Sequence, residues 1–379
     1  MKRPALVFAL VTAACAGGNG GGNGSGPSLR LAAEPSPPAF AHATTVRPFH
    51  LPADHGPHFD HQTEWWYYTG NLTDPGGRHF GYQLTFFRRG LSPGPPPAGP
   101  GLATNQIYFA HFAITDSAAA RHAFAERWSR GAGDLAGATG APFAVWLEGW
   151  RVESENPEGS SLHLAARDGA LALDLDLAAT KPLVAHGDRG LSPKSDEPGN
   201  ASYYVGYTRH RTSGRITTAS GTFEVAGASW FDHEWSTSAL GKGAVGWDWF
   251  SLQTSDEREL MFFRIRREDG SFEPVSGGTL VEPDGRTRRL ALADVRIEVE
   301  DHWTSPETGA SYPSRWTLNV PSAGLELLVV PWLADQEMRT SFTYWEGTVR
   351  VEGTRAGKAV VGNGYVEMTG YARTMQGVF

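Results

Sequence analysis

From about residue 60 to the end of the chain, apolar and polar residues alternate in short runs broken by Gly, Pro, Asn and Asp. A period of two places successive side chains on opposite faces of an extended segment, so each run predicts a half-buried strand and each break a turn. In residues 63–73, Glu64, Trp66 and Tyr68 fall on one face and Trp65, Tyr67 and Thr69 on the other; Asp74-Pro75-Gly76-Gly77 then turns the chain into a hairpin. Residues 105–116 return as a strand carrying Ile107, Phe109, His111 and Ala113 on one face, which the pattern makes the inward one. Alanine content and the spacing of Phe124 and Trp128 predict a short helix over 121–138. VWLEGWRVES, LHLAARDG and LALDLDLAAT then continue as an antiparallel meander. Residues 90–101 and 182–200 read as long loops, and no helix of three turns is expected after residue 140.

Aromatic residues and carboxylates concentrate in two stretches, HQTEWWYYTGNL (61–72) and WFDHEWSTSALGKGAVGWDWF (230–250). The pattern Trp66-Tyr67 followed by Phe86-Phe87-Arg88-Arg89 is echoed by Trp249-Phe250 followed by Phe262-Phe263-Arg264. Toward the ends of the two halves, GTFEVAG (221–227) pairs with GYVEMTG (364–370), and Tyr203-Tyr204 with Tyr344-Trp345. The chain therefore reads as two copies of one β unit. A meander of this size hides its edges best by closing into a barrel.

Charge narrows the partners. With 379 residues, 40% of them hydrophobic, the chain can bury one large core or two ordinary ones. A net charge of −8 with evenly spread basic residues gives no footprint for a phosphate backbone, so nucleic acid is not an expected partner. At the amino terminus Lys2 and Arg3 precede an apolar run over 5–11, and Thr12-Ala13-Ala14 leads to Cys15, the only cysteine. This predicts a lipoprotein signal over 1–15 with Cys15 lipidated, and hence a lipid-anchored protein on the periplasmic or extracellular face of the bacterial envelope. A Gly/Pro-rich linker follows over 16–48, then one β domain over 49–238 and another over 239–379.

The stretches HQTEWWYYTGNL, YFAHFAITD, SWFDHEW, TYWEGTV and GNGYVEMTGYA, in that order, resemble the AttH/CrtC family of lipocalin-like proteins, from about residue 50 to the end. That family includes bacterial carotenoid 1,2-hydratases and secreted proteins labelled predicted hydrolases. The resemblance implies an all-β fold of two lipocalin-like antiparallel barrels in tandem, holding an elongated apolar ligand, isoprenoid or lipid, in or between them. It also implies a cofactor-free hydratase that protonates a double bond. In the carotenoid hydratases a His-x-Trp motif and a downstream Asp carry the acid step. His233 and Trp235 match the former and Asp248 is the candidate for the latter, although Gly246 stands where those enzymes have a Tyr.

On this reading Asp248 is the acid, His233 positions water, and Trp235 faces the cation. Glu64, Trp66, Tyr68, His111, Trp247 and Trp249 line the ligand site. Each assignment has a structural alternative: an Arg partner for Asp248, a hydrogen-bond anchor for Glu64, a core histidine for His111. At least one of Asp232 and Glu234 is expected to pair with Arg209, Arg211 or Lys242. His55, His58, His61 and Glu64 recur every third residue, but on an extended strand they would diverge, so no metal site is expected. No GxSxG, HExxH, phosphate loop or dinucleotide fingerprint supports a hydrolase or a cofactor. The rival reading is a lipid carrier or chaperone without chemistry.

Overall fold

The computed structural model describes residues 39–97, 102–238 and 240–377. Cys15, the signal and most of the linker lie outside them. The first sheet begins with β1 (Thr63–Thr73), β2 (His79–Gly90), β3 (Gln106–Asp116), β4 (Arg121–Arg130), β5 (Ala136–Gly140), β6 (Phe143–Leu147) and β7 (Trp150–Ser154). It continues with β8 (Ser161–Asp168), β9 (Leu171–Ala179), β10 (Val184–Ala185), β11 (Leu191–Pro193), β12 (Ala201–Thr218) and β13 (Gly221–Ser236). The second sheet takes β14 (Ala244–Thr254), β15 (Glu259–Arg267), β16 (Gly277–Val281), β17 (Thr287–Ala291) and β18 (Arg296–Thr304). Its remaining strands are β19 (Ser311–Val320), β20 (Leu325–Pro331), β21 (Glu337–Arg339), β22 (Thr343–Arg355) and β23 (Lys358–Met368).

The spatial order is β4-β3-β2-β1-β13-β12-β9-β8-β7-β6-β5 in the first sheet and β17-β16-β15-β14-β23-β22-β20-β19-β18 in the second. All the pairings are antiparallel, and β6 lies back against β2, β3 and β4, so the first sheet curls nearly closed. Each sheet wraps its own core. Trp66, Tyr68, Phe86, Phe112 and Trp150 fill the first, and Phe250, Phe262, Trp316 and Trp345 the second. These are the two tandem barrel-like halves expected from the alternation, with interiors occupied by side chains.

Two expectations change. Residues 121–130 form a strand, not a helix, because their alternation satisfies the open edge of β3 over its whole length. The long loop at 182–200 contains β10 and β11, which pair with β12.

The repeat is real but shifted by one residue from the sequence echo. Trp66 pairs with Phe86 and Phe250 with Phe262, so Trp65-Trp66 is equivalent to Trp249-Phe250, and Glu64 to Asp248. Since Trp65 also opposes Glu234 and Trp249 opposes Glu367, the counterpart of Glu367 is Glu234, not the exposed Glu224 that the matched heptapeptides suggested. A one-residue slip moves every side chain to the other face, which is why this correction decides the site.

The halves meet through the outer faces of β1, β2 and β12, which lie against β23, β22 and β14 respectively. Gly81 permits this approach: a Cβ there would sit 2.5 Å from Thr348 Cβ across the interface. Gly81→Ala is therefore expected to cost about 1–3 kcal/mol of stability by overpacking. A melting temperature unchanged from the parent would show that the halves are not in contact there.

Candidate active site

Along β13, Phe231, His233 and Trp235 point into the core side of the first barrel, and Trp230, Asp232, Glu234 and Ser236 point toward the second. The same alternation sends Trp66 inward and Trp65 and Tyr67 outward from β1. On the facing sheet, Trp247, Trp249, Phe263, Tyr344, Glu346 and Glu367 complete a cleft between the halves with a volume of about 90 Å³.

Burial raises three acids in this cleft, two of them far enough to be neutral at pH 7. Burial pushes Asp232 up to about 8. The Tyr204 hydroxyl donates to its Oδ2 at 2.6 Å, while Oδ1 has no hydrogen-bond partner among the described residues and lies 3.8 Å from His186 Nε2. Trp249 Nε1 in turn donates to Tyr204 at 3.0 Å and fixes that phenol. Burial, reinforced by neighbouring Glu367, holds Glu346 well above the usual carboxylate range; Tyr67 donates to its Oε1 at 2.6 Å and its Oε2 is unpartnered. Burial raises Glu367 to about 7, and Trp247 Nε1 donates to it at 2.7 Å. Two tyrosines thus each clamp one oxygen of a buried acid and leave the other without a hydrogen bond among the described residues. Glu234 differs: Lys194 Nζ lies 2.5 Å from it and Ser202 also bonds it, so it is held in an ion pair.

Linkage gives a signed prediction. Glu346 ionises more readily unfolded than folded, so the stability it contributes is present below about 4.5 and is lost as pH rises toward its folded value. Glu346→Gln cannot ionise. Its stability advantage over the parent is expected to grow by about 1.4 kcal/mol per pH unit above that point. Paired melting curves from pH 5 to 8 check this, and a gap that stays constant would refute it.

Asp248, expected to be the acid, lies on the other face of β14 from Trp247 and Trp249. It is 1% exposed and accepts from Arg264 Nη2 at 2.9 Å, Arg266 Nε at 3.0 Å and the Tyr371 hydroxyl at 2.9 Å. Two guanidiniums and a phenol thus occupy its oxygens in a charge-assisted network on the face turned from the cleft, which is the arginine-paired alternative. Strand alternation reversed the assignment, because the acid between the two tryptophans must face away from the cleft they line.

His233, Trp235 and Glu64 form a second polar group inside the first barrel, away from the cleft. Glu64 Oε1 accepts from His58 Nδ1 at 2.7 Å and His233 Nε2 at 2.9 Å, Arg88 Nε lies 2.8 Å from Oε2, and Trp235 stacks on His58 at 3.7 Å. Burial alone would raise Glu64; Arg88 and His58 outweigh it and hold the carboxyl well below its usual range. His58 and Glu64 therefore meet, against expectation, since residues 53–62 form a short 3-10 helix and turns and not an extended strand. Their ligand atoms and that of His233 lie within 4.8 Å of one another, but each is already committed to the hydrogen-bond network beside a guanidinium, a poor setting for a cation. Trp66 and Tyr68 are core residues, stacked on His233 and Phe231. His111 lies behind the cleft wall, with Nδ1 2.7 Å from the Tyr344 hydroxyl.

Of the residues chosen from sequence, the structure places Trp247 and Trp249 on the cleft. Sequence reasoning missed Asp232, treated only as an ion-pair partner, and gave no chemistry to Glu346 and Glu367, although TYWEGTV and GYVEMTG were noted. The available signal was the period itself: in WFDHEW the acids alternate with His233 and Trp235 and cannot share their face. Of the two acids, Glu234 does form an ion pair, but with Lys194; Arg209 is taken by Glu259.

The sequence profile of the AttH-like family matches residues 42–371. A putative AttH from Nitrosomonas europaea superposes with a TM-score of 0.77 at 30% identity, covering 88% of this chain and 100% of that one. Kievitone hydratase from Nectria haematococca shares the fold with a TM-score of 0.66 at 16% identity, over 89% and 99% of the two chains. CghA bound to Sch210972 does so at 0.55 and 15%, over 82% and 88%. No protein of curated function matches the sequence. The chain belongs to the AttH-like family, whose lipocalin-like tandem β architecture it shares.

Proposed function

We propose that this protein is a cofactor-free hydro-lyase that adds water across a carbon–carbon double bond of an apolar ligand, of isoprenoid type, held between its two barrels. The observation that carries the reading is the pair of tyrosine-clamped neutral carboxyls, Asp232 and Glu346, that line one aromatic-walled cleft, each with an oxygen that makes no hydrogen bond among the described residues. An acid near 8 is protonated at neutral pH yet close enough to it to give the proton up, so Asp232 serves as the donor. Protonation at one alkene carbon leaves a cation at the other. The faces of Trp65, Trp247 and Trp249 stabilise it by about 2 kcal/mol or more per ring once water is excluded. Glu346 stays neutral and donates a hydrogen bond to a polar group of the ligand. The fold is shared with a protein named as a hydratase, which supports the reaction class but not the substrate. We further propose that Cys15 anchors the protein to the envelope by a lipid.

The test is incubation of the purified protein with acyclic isoprenoids and prenylated phenols in ¹⁸O-water. Mass spectrometry should show gain of one labelled water. The rate should hold on the acid side and fall as pH rises through about 8, where Asp232 loses its proton. A protein that retains lipid through purification and returns it unchanged would establish the carrier reading instead.

A further inference from the structure

Adding water requires a proton acceptor as well as a donor; Asp232 and Glu346 are protonated and cannot be one, Glu234 is taken up by Lys194 and Ser202, and Glu367 accepts from Trp247. A separate chain of hydrogen bonds crosses the interface behind the cleft. His111 on β3 is fully buried, its Nε2 2.9 Å from Glu126 Oε1 and its Nδ1 2.7 Å from the Tyr344 hydroxyl of the second sheet. Glu126 is its cross-strand partner on β4, with the side chain 20% exposed, and it also accepts from the backbone N–H of Ser341 at 3.1 Å. Phe87, Phe109, Phe342 and Tyr344 surround the imidazole with ring centroids 5.2–5.7 Å away, which excludes water from the middle of the chain.

Bond direction follows from chemistry. Glu126 is drawn down to about 2 although burial opposes it, because His111 and Ser341 bond it, so it only accepts. Burial keeps His111 neutral, so Nε2 carries its one proton and Nδ1 must accept. Tyr344 therefore donates its proton to His111, and its oxygen has only lone pairs left for the cleft that its ring lines.

We propose that Glu126, His111 and Tyr344 form a proton relay in which Tyr344 is the catalytic base that takes a proton from the attacking water. This rests on the hydration reading above and supplies its missing half. As the water oxygen bonds to the cationic carbon, one water proton moves to Tyr344 Oη. The phenol proton moves to His111 Nδ1 and the Nε2 proton to Glu126. Asp232 has given its proton to the other carbon, so one water is added. The cycle resets when Glu126 releases a proton to solvent and Asp232 regains one. His111 and Glu126 never touch the ligand and act as positioning and relay residues. Burial, and the acids Glu346, Glu367 and Glu126, hold the Tyr344 phenol well above its usual range. A free phenolate is thereby disfavoured, and a proton passed on as another arrives is the route left open.

Two measurements test this. With an isoprenoid that the ¹⁸O assay shows to be hydrated, Tyr344→Phe should lower kcat about 10²-fold with KM within a few-fold. Glu126→Gln should lower kcat while leaving in place the fall in rate near pH 8 that belongs to Asp232. The double variant should be no slower than the worse single one, as for residues acting as a unit. Independently of turnover, ¹⁵N NMR of the full chain should show His111 as the Nε2–H tautomer in the parent and a changed tautomer population in Glu126→Gln. A parental imidazolium or Nδ1–H tautomer would overturn the proposal, as would wild-type kcat in Tyr344→Phe alongside an inactive Asp232→Asn. If no isoprenoid is hydrated, the reaction class fails and the tautomer alone decides whether the relay exists.

Discussion

Asp232→Asn is expected to lower the rate of water addition by about 10²–10⁴-fold, the usual contribution of a positioned general acid. Ligand affinity should stay within a few-fold, because Asn keeps the size of the side chain and can still accept from Tyr204 through its amide oxygen. The protein should also become more stable in alkaline buffer. Asp232 contributes stability while neutral, fully present below about 3.8 and lost as pH rises through about 8, and Asn does not ionise. Lower activity with higher alkaline stability is the signature of an acid held neutral for chemistry; a structural carboxylate would lose stability when neutralised. Asp248→Asn supplies that contrast. It leaves Arg264 and Arg266 facing an uncharged amide, so it should lower the melting temperature while kcat stays within a few-fold of the parent. Loss of turnover in Asp248→Asn without loss of stability would reverse the two assignments.

Glu64→Ala is expected to be the most damaging single change to the fold. Its carboxylate is fully buried and holds His58, His233 and Arg88, so its removal leaves a guanidinium in the barrel interior with no counter-charge. Breaking such a pair from one side costs about 3–5 kcal/mol. That corresponds to a fall in melting temperature of about 10 °C. The parent should show the matching pH dependence. Because the folded-state value is depressed, the contribution of Glu64 is present above about 4.5 and is lost as pH falls below that. Glu64→Ala should therefore flatten the acid side of the stability profile, which denaturant titrations between pH 3 and 6 would measure. An unchanged acid limb would mean that some other carboxylate controls acid unfolding.

The equivalence of Glu64 with Asp248 explains why the sequence offered both for the site, Asp248 as the acid and Glu64 in the ligand lining. Each is an acid next to tryptophan at the same place in a repeated hairpin, and each is bound by the arginine opposite it, Arg88 or Arg264. The buried acids of the cleft sit out of phase with them, on the strand faces that the two halves turn toward each other. The His-x-Trp match drew attention to His233 and Trp235, and their neighbours Asp232 and Glu234 faced the cleft instead.

Alternation with period two, visible in the residues alone, determined that the chain is all β, where its hairpins turn, which residues share a face and that one β unit occurs twice. Those properties follow from local backbone geometry and need no partner. Which face is buried in a barrel and which meets the other barrel depends on pairing register and on the packing of strands more than a hundred residues apart. A neutral acid further requires water to be removed by side chains from both sheets, so the surroundings of Asp232, Glu346 and Tyr344 follow only from the packing of the two halves on one another.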